Sequence, residues 1–384
     1  MTSRISLLLG GFAALAVSAA ASAAAQAPVD VSDWNGVLAK AKQEGVVVVK
    51  GAPGRRYADV LQGAFQKKYP DIRVEFAGLP GRTANARILR ERQAGIFNQD
   101  IWISGSSAIR VLKPAGALQP FKPFLRKETM EDKHWIGGFA AGFADYEQTF
   151  YYSFDGSVQN PIQVNWDLIE KDQLKTVQDL LKPEFAGKIA WDDPRVGGSG
   201  NGVSLTILEN FGEDFLRRLY SQKIVFTTNR RLLAEWAVRG RYPISLGMGE
   251  NDLEVFLKEG LGKNVLPLGD SAYKVQMLSP GFGSVGIIDK APNPNAAAVY
   301  VNWLLSQEGQ QAWVNVPRNS RRTDVKVLDP KLSPKPGVTY FNGHHEKYSE
   351  VRQRLQELAR QVIAAPMPKE RKKRGKGKSS SDSK

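Results

Sequence analysis

The chain contains no cysteine. This absence excludes disulfide bridges, thiolate metal sites and a cysteine nucleophile. It also excludes a lipid anchor attached through a cysteine side chain. Whatever stabilises the fold must therefore come from core packing and hydrogen bonding, and whatever the protein binds must be held without sulfur ligands.

Histidine is also scarce, with only His134, His344 and His345. Ser-His-Asp catalysis needs a positioned base, and no histidine accompanies a Gly-x-Ser-x-Gly nucleophile elbow. The pair His344-His345 has neither an HExxH pattern nor the carboxylate spacing of a zinc site, which favours a solvated loop. The sequence therefore predicts a protein that is not an enzyme and that needs no metal or other cofactor.

Long hydrophobic runs are missing except at the N-terminus. There Arg4 precedes an apolar run over 5–17 and a small-residue stretch over 18–25. This order is typical of a cleaved secretory signal, predicted at 1–25, with an uncleaved anchor as the alternative. The run is shorter than the roughly 20 residues that a membrane span needs. With no cysteine for lipid attachment, export predicts a free periplasmic protein.

Acidic residues are outnumbered, and the formal net charge is +14. The segment 369–384 carries eight lysines or arginines against two acids, and 366–384 lacks the apolar residues of a core, which predicts a disordered basic tail. This segment has no interleaved aromatic residues for stacking bases, so nucleic acid is not an expected partner. The remaining body, at about +7, mildly favours an anionic solute.

The 384 residues exceed what one core usually holds, which predicts two lobes. Short β-branched runs alternate with helical apolar stripes, as in βαβ units. Strands are predicted at 46–50, 72–76, 100–103, 150–154, 188–191, 224–227, 244–247 and 284–288. Helices are predicted at 57–69, 83–94, 177–181, 203–210, 231–238, 296–305 and 348–363.

Several stretches, in a shared order, resemble the periplasmic solute-binding proteins of iron(III)-type and related ABC importers. They lie at 47–50, 57–61, 65–70, 100–105, 179–194, 291–310 and 318–324. The resemblance implies an α/β fold of two doubly wound lobes with a hinge, the type II periplasmic binding protein fold, which closes around its ligand. We expect one lobe at 28–140 plus 276–316 and the other at 141–275 plus 317–365.

The function that the resemblance implies is capture of a small solute, with anionic favoured by charge, and delivery to an ABC permease in the inner membrane. The protein is expected to act as a monomer. Two alternatives stay open: a ferric-iron-binding periplasmic protein, and a ligand-sensing partner of a membrane receptor.

In the first lobe, candidate ligand contacts follow predicted strands, because solutes sit beyond the carboxyl ends of such strands. Arg55 and Arg56 follow the first strand, and Arg82 follows the second. Guanidinium groups suit carboxylates and phosphates, although each arginine could equally be a solvated or helix-entry charge. Ser106 and Ser107 follow the third strand, where they could hold an anion or cap a helix.

In the second lobe, a glycine-rich turn at 197–202 follows a predicted strand. Ser199 and Gly200 within it resemble the anion-contacting turn of the family, since glycine lets backbone N–H groups approach a ligand. Asp193 and Arg195 precede the turn. They could reach the cleft or pair with each other.

Two further candidates end strands of the second lobe. Asn229 resembles a ligand-contacting position, and Glu250 could face a cation or simply begin a helix. Iron-binding relatives carry adjacent tyrosines in this lobe, whereas this chain has 244–250 without tyrosine. The pair Tyr151-Tyr152 lies in an earlier strand, where core packing is the expected role. Because of this departure, an anionic solute is a stronger prediction for the ligand than iron.

Overall fold

The computed structural model describes residues 29–364, apart from 106, 280, 317, 328–329 and 336–337. The predicted signal, the predicted basic tail and Ser106 lie outside the described residues. Within the described part of the chain, no helix is both long and apolar enough to span a lipid bilayer.

The strands are β1 (Val46–Gly51), β2 (Arg73–Gly78), β3 (Ile101–Ser104), β4 (Leu118–Gln119), β5 (Tyr152–Ser153), β6 (Ile162–Asn165), β7 (Ile189–Asp192), β8 (Ile224–Thr227), β9 (Ile244–Leu246), β10 (Val265–Pro267), β11 (Val275–Leu278), β12 (Ser284–Ile288) and β13 (Thr339–Asn342). The α-helices are α1 (Trp34–Glu44), α2 (Arg55–Ala58), α3 (Phe65–Lys68), α4 (Gly81–Gln93), α5 (Ser107–Val111), α6 (Ser199–Ser221), α7 (Arg230–Val238), α8 (Glu250–Lys258), α9 (Pro294–Leu305), α10 (Gln307–Trp313) and α11 (Tyr348–Val362).

A π-helical turn, Asp59–Ala64, joins α2 to α3, so the helix predicted at 57–69 is one continuous helical segment. Short 3-10 helices fill many connections: Lys122–Phe124, Lys127–Met130, Asp132–His134, Ala140–Gly142, Val177–Leu181, Pro183–Phe185, Pro194–Val196, Asp270–Ala272 and Pro330–Leu332. The predicted α-helix at 177–181 is one of them, because Pro183 follows too closely for a longer helix.

The first sheet has the strand order β2-β1-β3-β12-β4, with β5 also paired to β12. β1 runs parallel to β2 and β3, as the alternation of predicted strands and helices in βαβ units implied. β12 runs antiparallel to β3 and reaches the sheet only after the chain has built most of the second lobe. Helices α1, α3 and α9 cover this sheet, and their apolar side chains form the largest core.

The second sheet has the order β10-β6-β9-β7-β8. β7 is parallel to β8 and β9, whereas β6 is antiparallel to both of its neighbours. Trp191 and the apolar faces of α6 and α11 fill one side. Ala190, Leu233 and Phe256 belong to a smaller cluster on the other side, under α7 and α8. The result is the predicted α/β fold with two lobes, each with a sheet covered on both faces.

The segments that connect the lobes depart from the predicted boundaries. β5 lies beyond residue 141 yet pairs with β12 of the first sheet. β11 pairs with β13 and packs on α6 of the second lobe. It includes residue 276, where the first lobe was expected to resume. Short bridges join Asp155 to Ser320 and Val158 to Leu278. The division of the chain stays a prediction, which we now place near residues 155 and 279.

Candidate functional site

Two adjoining cavities lie between the lobes, at the ends of the strands of both sheets. The Arg110 cavity measures about 1050 Å³ and the Tyr57 cavity about 880 Å³, each with the open space at its mouth included. They are continuous, because both are lined by Gln159, Ser199, Arg230, Ser279, Gly281 and Phe282. Together they form the cleft, which is large enough for a small organic molecule.

The Arg110 cavity is built from the ends of strands and the starts of helices. Ser104 and Gly105 end β3 of the first lobe, and the glycine turn at 197–199 opens α6 of the second. Arg352 reaches the cavity from α11, and His344 reaches it from the loop before that helix. This placement follows the rule that ligands bind beyond the carboxyl ends of strands in open α/β sheets.

Arg110 and Arg352 bring two guanidinium groups to this cavity without a carboxylate. Among the described residues, no Asp or Glu lines either cavity. Arg352 is only 8% exposed; its Nε and Nη2 donate to the carbonyl of Gly343 at 3.2 and 3.0 Å. Its Nη1 donates to Asn201 Oδ1 at 3.3 Å. Burial, together with the charge of Arg110, lowers the pKa of Arg352 to about 10.

Arg110 forms no hydrogen bond or ion pair with any described residue, and burial lowers its pKa. A buried charge without a partner is costly, whereas an anion held between two guanidinium groups satisfies both. The Arg110 cavity is therefore an electrostatic site for a negatively charged group.

His344 lines the same cavity. Burial lowers the pKa of His344 well below its usual value, and the charges of Arg352, Arg318 and Arg110 lower it further. The imidazole is therefore neutral near pH 7, with one nitrogen donating and the other accepting. Its Nδ1 is buried without a hydrogen-bond partner among the described residues, so a ligand can complete its hydrogen bonding.

The Tyr57 cavity differs because its arginines are already paired. Arg318 Nε lies 2.7 Å from Asp155 Oδ2, and its Nη2 lies 3.2 Å from Asp155 Oδ1. Arg230 Nε donates to Asp252 Oδ2 at 3.1 Å. Tyr57 meets Phe282 edge to face, with ring centroids 5.8 Å apart. This end of the cleft suits an uncharged polar or ring-shaped group.

The predicted glycine turn lines the cleft, but an internal carboxylate occupies part of it. Ser199 Oγ donates to Asp192 Oδ2 at 2.6 Å, and the N–H of Gly200 donates to the same oxygen at 3.0 Å. A Cβ on Gly200 would lie 1.7 Å from the Asp192 carbonyl oxygen, so only glycine fits. Ser199 still faces both cavities, whereas Gly200 is buried and lines neither, so the prediction that Gly200 contacts ligand is corrected.

Asp193 and Arg195 pair with each other, which was the second of the two predicted possibilities. Arg195 Nε and Nη2 donate to Asp193 Oδ1 and Oδ2 at 2.9 and 2.7 Å. Both residues are nearly inaccessible, and the guanidinium lies over Phe226, 5.6 Å from the ring centroid. Neither lines the cleft. The prediction that they contact ligand is therefore corrected: they stabilise the loop before α6.

Three other candidates lie outside both cavities. Arg55 has a side chain that is 94% exposed, with Asp59 at 3.8 Å. The side chain of Arg56 forms an ion pair with the other lobe, in which its Nη2 donates to Glu254 Oε1 at 2.8 Å. Asn229 caps α7, with Oδ1 accepting from the N–H of Leu232 at 3.1 Å. Arg55 is therefore a surface charge, which was the alternative considered for it, and Asn229 is a helix cap.

The side chains of Arg82, Ser107 and Glu250 are not described, and their ligand roles stay predictions. Their backbones begin α4, α5 and α8. Neighbouring glycines do line the cleft: Gly81 borders the Arg110 cavity and Gly249 the Tyr57 cavity. The sequence thus located the correct loops.

The sequence analysis missed the cleft arginines: Arg110, Arg230, Arg318 and Arg352. One of them left a signal. Arg352 occupies the same stripe of α11 as Tyr348, Leu355 and Ala359, all of them buried. A charged residue at a core-facing position of an amphipathic helix needs a reason, and here the reason is the cavity.

Tyr151 and Tyr152 pack in the core, as expected, with no measurable exposure. Burial raises the pKa of both phenols far above the usual range, so neither is available as a phenolate ligand. Within the described part of the chain, no group of three or more His, Asp or Glu side chains could hold a metal ion.

Comparison with known proteins identifies a family that this chain matches. Residues 46–315 match the family model described as "Bacterial extracellular solute-binding protein". An uncharacterized protein of Haemophilus influenzae is 24% identical over 329 residues, which is 83% of this chain and 90% of that protein.

Solved structures with similar folds include iron-bound HitA from Pseudomonas aeruginosa, at 18% identity and a TM-score of 0.61, covering 83% of this chain and 99% of that one. AfuA, a periplasmic binding protein from Actinobacillus pleuropneumoniae with fructose-6-phosphate bound, has 20% identity and a TM-score of 0.62, covering 84% and 100%. A ferric binding protein from Campylobacter jejuni has 15% identity and a TM-score of 0.63, covering 83% and 99%. These likenesses confirm the type II periplasmic binding protein fold.

Proposed function

Because the chain belongs to the family of bacterial extracellular solute-binding proteins, we propose that it captures a small anionic organic solute in the cleft and delivers it to an ABC permease. The family places the protein outside the cytoplasm, in the periplasm or beyond the cell. Family and fold are those of binding proteins, and this proposal assigns the chain no chemical reaction.

The observation that carries the proposal is the Arg110 cavity. Arg352 is buried and Arg110 is half-buried in the same cavity, and no carboxylate among the described residues lines the cleft. Two like charges that share a cavity without compensation destabilise the empty protein. An anionic ligand removes that cost on binding, so the free energy of binding gains from the relief of repulsion and from charge-assisted hydrogen bonds.

The chemical class that fits best is a phosphate monoester on a small polar body. Its doubly charged head matches two guanidinium groups and the glycine turns at 105 and 197–198. Its uncharged body would lie in the Tyr57 cavity, beside Tyr57 and Phe282, where the arginines are already paired. AfuA, with fructose-6-phosphate bound, supports this class.

Ferric iron is the second candidate, because HitA was solved with iron and another neighbour is a ferric binding protein. The cleft favours it less. Tyr57 is the one tyrosine among the described residues that line the two cleft cavities, and burial raises its pKa. The uncompensated charges of Arg110 and Arg352 in the adjoining cavity repel a trivalent cation, so iron would have to enter together with an anion.

A thermal-shift screen of the mature protein tests the proposal. The arms are sugar phosphates, the same sugars without phosphate, inorganic phosphate, dicarboxylates, and ferric iron with and without citrate. A ligand that binds only the folded state stabilises it by about 2.7 kcal/mol at a hundredfold excess over its Kd.

A shift with phosphorylated sugars that is absent with the parent sugars supports the proposal. Arg110→Gln should reduce that stabilisation from about 2.7 to about 0.4–1.4 kcal/mol, as for a ligand bound ten- to a hundredfold more weakly, while Arg239→Gln, on an exposed arginine of the second lobe, should leave it unchanged. A shift with ferric iron alone, unaffected by Arg110→Gln, would replace the anion with iron.

We further propose that the chain works as a monomer and binds no nucleic acid. A role as ligand-sensing partner of a membrane receptor would use the same cleft. A measurement of solute uptake by cells distinguishes that role from transport. Deleting this chain abolishes solute uptake if the chain serves transport and leaves uptake unchanged if the chain serves only a receptor.

A further inference from the structure

A third cavity lies behind the segments that connect the lobes and shares no lining residue with the cleft. The Arg321 cavity measures about 670 Å³, open space at its mouth included. β11 separates it from the cleft: Met277 and Ser279 line the cleft, whereas Leu278 between them lines the Arg321 cavity. Alternation of side chains along a strand places these residues on opposite faces.

The single cation in this cavity is Arg321, and its charge has no carboxylate partner among the described residues. The residue is 6% exposed. Its Nη2 donates to the carbonyl of Ile136 at 2.5 Å, and its Nη1 lies 3.4 Å from the carbonyl of Ser153. Its Nε is buried without any hydrogen-bond partner. Burial lowers the pKa of Arg321, as expected for a guanidinium that lacks a compensating acid.

A second donor beside Arg321 also lacks an acceptor. The hydroxyl of Tyr152 is buried without a partner. Gly142 brings the two groups together: a Cβ there would lie 2.5 Å from Tyr152 Cζ and 2.7 Å from Arg321 Nη1. Buried donors without acceptors are rare in folded proteins and each costs free energy. Tyr152 packs behind Arg321 and does not line the cavity, so it gives the guanidinium no charged partner; Arg321 lines the cavity and keeps hydrogen-bonding capacity for an anion there.

The one acid that lines the cavity is already satisfied. Asp155 accepts from Arg318 and from the N–H of Ser157, and it also lies 3.2 Å from Trp313 Nε1. The other walls are mainly apolar and are formed by Ile136, Ala141, Leu278 and Pro334, with Tyr340 and Asn342 adding polar groups. A charged head at Arg321 and a short hydrocarbon chain along these walls would fill the cavity.

We propose that the Arg321 cavity is a second binding site, for a small monocarboxylate with a short apolar chain. It is separate from the cleft and does not depend on the solute class proposed there. The carboxylate supplies the acceptor that the Arg321 guanidinium lacks, and the hydrocarbon chain covers the apolar walls.

Calorimetric titration with butyrate tests this site, with butyramide as the neutral probe of matched shape. The titration uses the full mature chain with Arg110→Gln, so that the cleft does not bind the probe. Butyrate is expected to bind at least about tenfold more tightly than butyramide, since hydrogen bonds to a charged group exceed neutral ones by roughly that factor.

Two variants locate the binding. Ala141→Phe fills the exposed mouth of the cavity and leaves the Arg321 charge in place, and Arg321→Met removes that charge. Each should weaken butyrate binding at least about tenfold, whereas Arg239→Met on an exposed arginine should not. If Arg321→Met fails to fold, Ala141→Phe decides the question.

Equal affinity for butyrate and butyramide would overturn the proposal, as would butyrate binding that survives Ala141→Phe. Butyrate binding that is present with Arg110 and lost with Arg110→Gln would belong to the cleft, and the Arg321 cavity would then be a structural void. None of these outcomes bears on the phosphate screen, so the two proposals fail separately.

Discussion

The two halves of the cleft carry the same residue type in opposite electrostatic states. Arg318 of the Tyr57 cavity, and Arg230 where the two cavities meet, are each held by an aspartate of this chain. In the Arg110 cavity, Arg110 and Arg352 have no such partner among the described residues. The comparison teaches that the presence of arginine does not identify an anion site. What identifies it is a guanidinium whose compensating charge has been left for the ligand to supply.

The largest expected effect comes from turning a paired arginine into an unpaired one. Asp155→Ala removes the partner of Arg318 and also an acceptor for Trp313. Because it leaves a largely buried charge without compensation, we expect the free energy of unfolding to fall by about 3–5 kcal/mol, measured by urea denaturation.

Asp252→Ala is the comparison, because Arg230 is already 43% exposed while it is paired with Asp252. Asp252 also accepts from the N–H of Gly249 at the start of α8, so its cost should be about 1–2 kcal/mol, still below that of Asp155→Ala. Equal losses in the two variants would mean that exposure does not decide the value of these pairs.

The reverse test removes an unpaired arginine. Arg110→Gln should leave the free energy of unfolding of the empty protein unchanged or raise it, because it relieves repulsion with Arg352. The same change should weaken the phosphorylated ligand by about ten- to a hundredfold, the value of hydrogen bonds to a charged group. Calorimetric titration and urea denaturation measure the two effects. A large loss of stability without ligand would show that Arg110 has a structural role.

His344 makes the charge of the Arg110 cavity depend on pH. Its pKa is lowered in the folded protein, so between that value and about 6.5 the unfolded chain binds more protons. Protonation of His344 in the unfolded chain therefore lowers the free energy of unfolding as the pH falls below about 6.5, and it has no such effect above that pH. His344→Gln should remove a slope of at most about 1.4 kcal/mol per pH unit between pH 6.5 and 5.

The arginines that face His344, which are Arg110, Arg318 and Arg352, do not titrate in this range, so the difference between wild type and variant isolates the histidine. The measurement is urea denaturation across the pH series. Parallel curves for both proteins would show that His344 is protonated in the folded state as easily as in the unfolded chain.

The smallest effect is expected where an arginine meets only solvent. Arg55 is 94% exposed and lies 3.8 Å from Asp59. Arg55→Gln should change ligand affinity less than about twofold, because exposed pairs contribute little. A calorimetric loss as large as that of Arg110→Gln would place Arg55 in the site after all and remove the distinction drawn between the cavities.

Much of the fold could be predicted because its strands carry their own signal. β1 and β12 are β-branched runs bounded by turns, and α9 is a continuous apolar helix. β6 and β10 were missed. β10 has three residues with Leu266 facing solvent, so no alternation marks it. The direction in which each strand runs could not be predicted either, since an antiparallel central strand such as β12 has the same composition as a parallel one.

The candidate site could be predicted in its loops but not in its side chains. Strand ends indicated the turns at Ser199, beside Gly81 and beside Gly249, and all three border the cleft. Arg110 and Arg352 are 242 positions apart, and no local pattern reports that their charges meet. Local spacing also could not decide whether Asp193 and Arg195 face each other or a solute, which depends on packing against Phe226.

The position of β12 has a consequence for how the chain acquires its structure. Ile103 in β3 pairs with Val285, so the centre of the first sheet joins residues that the ribosome delivers far apart. Until β12 arrives, β3 exposes an open edge that can pair with another chain. Contacts of such long range make folding slow. A fragment ending before residue 284 should therefore aggregate, and refolding of the whole chain should be limited by the step that inserts this strand.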